Sequence, residues 1–209
     1  MNPLKVGIAG IGRIGKIHLN NLMYRIPAAK VVAAVDPQPE GREFATRLGV
    51  PKVSADFQYL LDDPEIEAVL ICSPNDTHAD YVVRASHAGK TIFCEKPLDL
   101  SLDTVREILR VTDANGTPMM VAFNRRFDAN FRKVRESVVN GTIGDPHILK
   151  ITSRDWGPPP IEYVAQSGGL FMDMAIHDFD MARFITGSEV KEVYARGSIR
   201  ITPEIAQYG

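Results

Sequence analysis

Cysteine is nearly missing from this sequence. Its two cysteines, Cys72 and Cys94, each close an apolar run and stand in neither a C-x-x-C nor a metal-type spacing, so buried free thiols are the reading. An excess of charge of one sign is missing too. Twenty-four Lys and Arg oppose 26 Asp and Glu, a formal net charge of −2. That balance offers no basic field for nucleic acid and no polybasic membrane anchor, and it points to a small, water-soluble partner. No apolar run reaches the roughly 20 residues that span a bilayer. Met1-Asn2-Pro3-Leu4-Lys5 passes straight into an apolar strand pattern, without the charged region, long apolar stretch or small-residue cleavage site of a secretory leader. A cytoplasmic location is expected. Internal repeats and low-complexity segments do not stand out either.

What the chain does have is enough material for one good core and a second, smaller unit: 209 residues, 44% hydrophobic. From residue 4 to about 122, short β-branched runs alternate with helical stretches. Lys5–Ala9, Lys30–Val35, Ala68–Cys72, Thr91–Cys94 and Pro118–Ala122 read as buried strands. Helices are predicted near 14–25, 40–48, 76–88 and 101–115, the last entered through Ser101. Such alternation predicts a doubly wound parallel sheet covered on both faces, an α/β fold of Rossmann type. After residue 124 the rhythm changes. A helix near 128–139, a Gly141/Gly144 turn, a strand near 147–154, a proline-rich loop at Gly157-Pro158-Pro159-Pro160, a helix from about 169 to 185 and a strand near 190–200 suggest a separate α+β unit. The expected domains are 1–123 and 124–209.

Gly10-Ile11-Gly12-Arg13-Ile14-Gly15 is a G-x-G-x-x-G, a weak signal by itself. Here it follows a predicted strand, opens a predicted helix and is answered by Asp36 at the end of the next strand, 21 residues beyond Gly15. Gly10 permits the tight turn, Gly12 lets the backbone approach a pyrophosphate, and Gly15 lets the helix pack closely on the strand. The helix N-terminus offers N–H groups and the positive end of its dipole to phosphates. Asp36 would accept hydrogen bonds from ribose hydroxyls and repel a 2′-phosphate, favouring NAD over NADP. Arg13 reads equally well as a phosphate contact or as a solvated charge.

Two further clusters carry chemistry. Cys94-Glu95-Lys96-Pro97 follows the presumed fifth strand, and ligands of an open parallel sheet bind beyond the carboxyl ends of its strands, so Lys96 should face the cofactor crevice. Pro97 biases Lys96 away from helical dihedrals and helps fix its direction. In the run Gly168–Arg183, Asp173 and His177 lie four apart and share a helical face. Such a pair can be an acid-oriented general base, two metal ligands or a surface ion pair. Phe171, Met174, Phe179 and Met181 argue for a buried helix, against the surface pair. No third His or Cys is spaced to complete a metal site, so no metal is expected. The base is the preferred reading: His177 would accept a hydroxyl proton, Asp173 would orient the imidazole, and Lys96 would hydrogen-bond the reacting oxygen.

Together these clusters resemble the Gfo/Idh/MocA family of oxidoreductases, with the best fit to its inositol-oxidising branch. The resemblance is carried by Gly10–His18, Ser73-Pro74-Asn75-Asp76-Thr77-His78, Glu95-Lys96-Pro97, Phe123-Asn124-Arg125-Arg126-Phe127-Asp128, Ser153-Arg154-Asp155 and the Gly168–Arg183 run, and it spans nearly the whole chain. It implies NAD-dependent oxidation of a secondary alcohol on a cyclitol or sugar, foremost myo-inositol to its 2-keto form. By the resemblance, Lys96, Asp173 and His177 are the catalytic set. Arg126 and Asp155, with Asp173 and His177, lie near substrate. Ser73, Asn75, His78, Glu95 and Lys96 join Gly10, Gly12, Arg13, Ile14, Gly15 and Asp36 on the cofactor side. Without it, Arg125 and Arg126 read as solvated charges, and Ser153-Arg154-Asp155 as a polar strand end. Family members continue into a large, mostly antiparallel sheet and assemble as dimers or tetramers, so this chain is expected to stop inside its second domain. Another sugar or aldose dehydrogenase of the same family and a non-catalytic NAD-binding sugar sensor on the same fold are the competing expectations.

Overall fold

Val, Ile and Ala runs with no polar alternation can be strands only where both faces are covered, and that is how the N-terminal half is built. The computed structural model describes residues 2–208, which divide into two compact units, the first ending at Ala122 and the second beginning at Phe123. In the first, β1 (Leu4–Ala9), β2 (Ala29–Val35), β3 (Lys52–Ser54), β4 (Ala68–Ile71), β5 (Thr91–Cys94) and β6 (Met119–Val121) form one sheet in the order β3-β2-β1-β4-β5-β6. Every neighbouring pair is parallel. The order reverses between β1 and β4, so the crevice for a ligand opens at their carboxyl ends. This is the Rossmann-type doubly wound sheet.

The covering helices are α1 (Arg13–Tyr24), α2 (Pro39–Arg47), the short α3 (Gln58–Asp62), α4 (Asn75–His87) and α5 (Leu102–Ala114). One apolar layer gathers Val32, Phe57, Leu60, Val69, Val82, Ala85 and Ile108; the other gathers Ile8, Ile11, Leu19, Val31, Ala34 and Ala45. Gly7 in β1 makes the first layer close: a Cβ there would stand 3.0 Å from Leu60 Cδ2 and 3.1 Å from Ile66 Cδ1. Ser101 caps α5, its hydroxyl accepting from Thr104 N–H at 3.4 Å. Strands and helices predicted from the pattern stand within one or two residues of these bounds, while β3 and α3 escaped it.

The second unit contains a 3-10 turn (Asn124–Phe127), α6 (Ala129–Val139), α7 (Ile161–Ser167), a π-helical turn (Phe171–Ala175), α8 (Ile176–Thr186) and a further 3-10 turn (Pro203–Tyr208). Two expectations are corrected here. The strands predicted near 147–154 and 190–200 are absent, and no strand occurs among the described residues 123–208. An apolar, β-branched run marks a segment able to pair, but a strand exists only when another supplies its ladder. Ile148, Val193, Tyr194 and Ile201 accordingly lie exposed. The helix predicted from 169 to 185 is present, running from 169 to 186 with a π turn inside it, but its expected burial holds only in part: Met181 is fully buried, while Phe171 and Phe179 stack on each other half exposed.

Candidate functional site

The glycine loop sits where β1 hands over to α1, and each glycine answers a different demand. Gly10 has φ +85°, and a Cβ there would lie 2.5 Å from the Ser73 amide nitrogen of the neighbouring crossover. A Cβ on Gly15 would fall on the Gly10 carbonyl oxygen, so only glycine lets α1 start this close to the strand. At Gly12 nothing lies within 4 Å of a notional Cβ. That open, exposed backbone at the N-terminus of α1, which has no side-chain cap, is where a pyrophosphate can approach N–H groups. The cradle therefore fits a dinucleotide. Arg13 is exposed beside it, and Ile14 packs against the second apolar layer.

Asp36 stands at the end of β2, buried, and is held from both sides. Ile11 N–H donates to Oδ2 at 2.5 Å and Gln38 N–H to Oδ1 at 2.8 Å. A carboxylate has about four acceptor positions, so two remain for ribose hydroxyls. Gly41 in α2 makes the seat possible, since a Cβ there would be 2.5 Å from Asp36 Oδ2. Arg42 donates to the Asp36 and Pro37 carbonyls at 2.7 and 2.8 Å, turning its charge to the backbone of the same loop.

The ends of β4 and β5 carry the other cofactor-side candidates. Ser73 shares a 2.6 Å hydroxyl contact with Thr77, Asn75 opens α4, and His78 is buried in that helix's first turns. The ring of His78 contacts the Ser73 and Pro97 carbonyls at 3.0 and 2.7 Å. Glu95 pairs with His18 of α1 at 2.7 Å, and the His18 ring meets Phe93 edge-on. Lys96 follows, half-buried, joined to Pro97 by a cis peptide. Burial pushes the thiols of Cys72 and Cys94 far up, which leaves them inert beside the cleft.

In the second unit, Asp173 lies in the π turn and His177 in the first turn of α8. π turns inside helices recur at functional sites. Tyr163 of α7 donates its hydroxyl to Asp173 Oδ1 at 2.8 Å, and His177 meets Phe123 edge-on at 6.5 Å. Arg126 grips Asp180 through Nε and Nη2, with contacts of 2.5–3.1 Å, while its guanidinium lies over the Phe123 and Phe184 rings. Arg125 and Ser153 both donate to Asp178 Oδ1, at 2.5 and 2.7 Å. Asp155 is exposed two residues beyond Ser153. The solvated-charge reading of Arg125 and Arg126 thus gives way to two ion pairs, and nothing in the local sequence announced Asp178 and Asp180 as their partners, or Tyr163 as the partner of Asp173. Gly41 and His18 also escaped assignment. Among the described residues no group of three or more His, Cys, Asp or Glu could hold a metal, and no helix is long and apolar enough to cross a membrane.

Comparison with known proteins agrees with this geometry. Residues 4–123 match the GFO_IDH_MocA model, described as "Oxidoreductase family, NAD-binding Rossmann fold", and residues 131–207 match the C-terminal domain of the same family. The chain is 50% identical over 204 residues to "Uncharacterized oxidoreductase YrbE" of Bacillus subtilis, covering 97% of this chain and 60% of the relative. It is 47% identical over 207 residues to myo-inositol 2-dehydrogenase of Thermotoga maritima, covering 99% and 62%. The crystal structure of scyllo-inositol dehydrogenase from Lactobacillus casei, with bound NAD(H) and scyllo-inositol, superposes with a TM-score of 0.84 at 31% identity, covering 99% of this chain and 63% of that one. The chain thus spans about three fifths of the length of the curated relatives it matches.

Proposed function

The chain belongs to the Gfo/Idh/MocA oxidoreductase family, and from that premise we propose that it takes part in NAD-dependent oxidation of a secondary alcohol on a cyclitol, with myo-inositol as the first substrate to test. The observation that carries the reading is the first-unit cradle: an open Gly12 backbone at a helix N-terminus, and an Asp36 carboxylate held by the adjacent Ile11 N–H with two acceptor positions left. The inositol dehydrogenases among its relatives and structural neighbours supply the substrate class.

Gly10, Gly12 and Gly15 shape the loop for the pyrophosphate, and Asp36 takes the ribose hydroxyls. Its negative charge disfavours a 2′-phosphate. Ser73, Asn75 and Glu95 line the nicotinamide side. When bound, the nicotinamide ring accepts the hydride from the alcohol carbon. His177 accepts the hydroxyl proton, since an imidazole can take one near neutral pH. Asp173, steadied by Tyr163, favours the charged imidazole that results, and Lys96 hydrogen-bonds the reacting oxygen and stabilises its developing charge. Asp155 takes substrate hydroxyls; Arg126, gripping Asp180, orders the wall around them. Self-association as a dimer or tetramer belongs to the same proposal for the whole protein, supported by the exposed Trp156, Val193 and Tyr194.

The test is NADH formation from NAD and myo-inositol, run beside His177→Ala, with NAD binding followed by calorimetry. The variant should lose roughly 10²- to 10⁴-fold in kcat and keep its affinity for NAD. A folded chain that fails to bind NAD would overturn the reading. Binding without turnover in the wild type would restrict these residues to NAD recognition, as a sensor requires.

A further inference from the structure

His78 is almost wholly buried, at 1% exposure, and both of its ring nitrogens face backbone carbonyl oxygens: Nδ1 lies 2.7 Å from Pro97 O and Nε2 3.0 Å from Ser73 O. A carbonyl can only accept. A neutral imidazole carries one N–H and one bare lone pair, so it can serve one of these oxygens and must turn a lone pair toward the other. Both contacts become hydrogen bonds only when each nitrogen holds a hydrogen. The two oxygens belong to the two segments that carry cofactor-side candidates, Ser73-Pro74-Asn75 after β4 and Glu95-Lys96-Pro97 after β5. The charged residues on the segments so joined are Asp76, Glu95, Lys96 and Asp99, with Glu95 itself paired to His18.

We propose that His78 is a positioning residue: a doubly protonated ring that clamps the β4–α4 crossover to the Glu95-Lys96-Pro97 segment and so sets where Lys96 presents its amine. With both nitrogens committed to backbone, the ring acts through Lys96 and leaves the nicotinamide to its neighbours. Sequence alone gave His78 only a direct nicotinamide-side role by resemblance. The inference rests on the proposed part of Lys96 in alcohol oxidation, so its test includes a readout independent of turnover.

That readout is nitrogen-15 NMR of the His78 ring in the full chain, which should show hydrogens on both nitrogens. A single ring N–H would overturn the clamp. His78→Phe, which keeps a ring and removes both donors, and His78→Gln, whose one amide nitrogen serves one carbonyl, supply the second arm. In His78→Phe the amides of Asn75, Lys96 and Leu98 should exchange faster than those of β1 and β2. NADH formation should fall roughly 10- to 100-fold in kcat with KM for NAD changed less than about threefold, and His78→Gln should fall between. An equal loss in KM and kcat, or protection lost evenly across the sheet, would mean ordinary core packing and overturn the proposal. A wild type with two ring N–H signals that forms no NADH would sink the oxidation reading and leave the clamp standing.

Discussion

The two units of this chain hold themselves together by different means. In the first, six parallel strands satisfy one another's backbone, and the tolerances are set by glycines against which a single methyl group would collide. In the second, no strand occurs among the described residues, and the ties that stand out are side-chain ion pairs reaching about fifty residues along the chain, Arg125 to Asp178 and Arg126 to Asp180. Backbone ladders and close glycine contacts leave a strong imprint on local sequence. Distant ion pairs leave almost none, because either partner alone resembles a solvated charge.

The comparison can be broken hardest at the glycine loop. Gly15→Ala places a Cβ on the Gly10 carbonyl, a clash with backbone that no rotamer relieves, and should cost about 3 kcal/mol in urea unfolding with loss of NAD binding. Gly12→Ala meets nothing within 4 Å and should leave stability within about 1 kcal/mol. Its NAD affinity should nevertheless fall, because the methyl group occupies the approach of the pyrophosphate. If both variants lose stability alike, the division of labour between the glycines is wrong.

In the second unit the corresponding break is Arg126→Leu. Asp180 is 6% exposed, and its carboxylate loses a two-pronged partner. Because the Arg126 side chain is itself 40% exposed, water relieves part of the penalty, and about 2 kcal/mol is the expected cost. Arg126→Leu with Asp180→Leu should recover most of that, since a buried pair replaced by apolar groups is near neutral. Recovery by the double variant marks the pair as a structural tie, and a fall in substrate affinity at unchanged stability would mark Arg126 as a substrate contact.

These outcomes bear on what was legible beforehand. The apolar runs of β1, β2 and β4 were readable because both of their faces are mostly buried, those of β5 and β6 from their apolar, β-branched or Met-rich composition, and the glycine loop with Asp36 because its demands recur at a fixed spacing. β3 and α3, of three and five residues, are too short to show a period. The strands expected near 147–154 and 190–200 failed for a different reason: their apolar and β-branched residues are real, but a strand is a property of two segments. The roles of His78 and Asp180 were invisible because their partners, Pro97 O and Arg126, lie 19 and 54 residues away.

The smallest expected effect separates the two units at matched positions, the N-caps of α5 and α6. Ser101 offers a neutral hydroxyl to one N–H, Thr104, at a long 3.4 Å. Asp128 offers one carboxylate oxygen to two, Asn130 at 2.9 Å and Phe131 at 3.2 Å, and sets a negative charge against the positive end of the α6 dipole. A longer, single, uncharged bond should matter less. Ser101→Ala should therefore cost about 0.5 kcal/mol and Asp128→Ala about 1 kcal/mol, each read from the shift in urea midpoint at unchanged slope. The order matters more than the sizes. Should Ser101→Ala prove the costlier, then α5, locked under a complete sheet, amplifies a weak cap while α6 frays regardless of its strong one, and the stability of the second unit would have to come from α8 and its ion pairs alone.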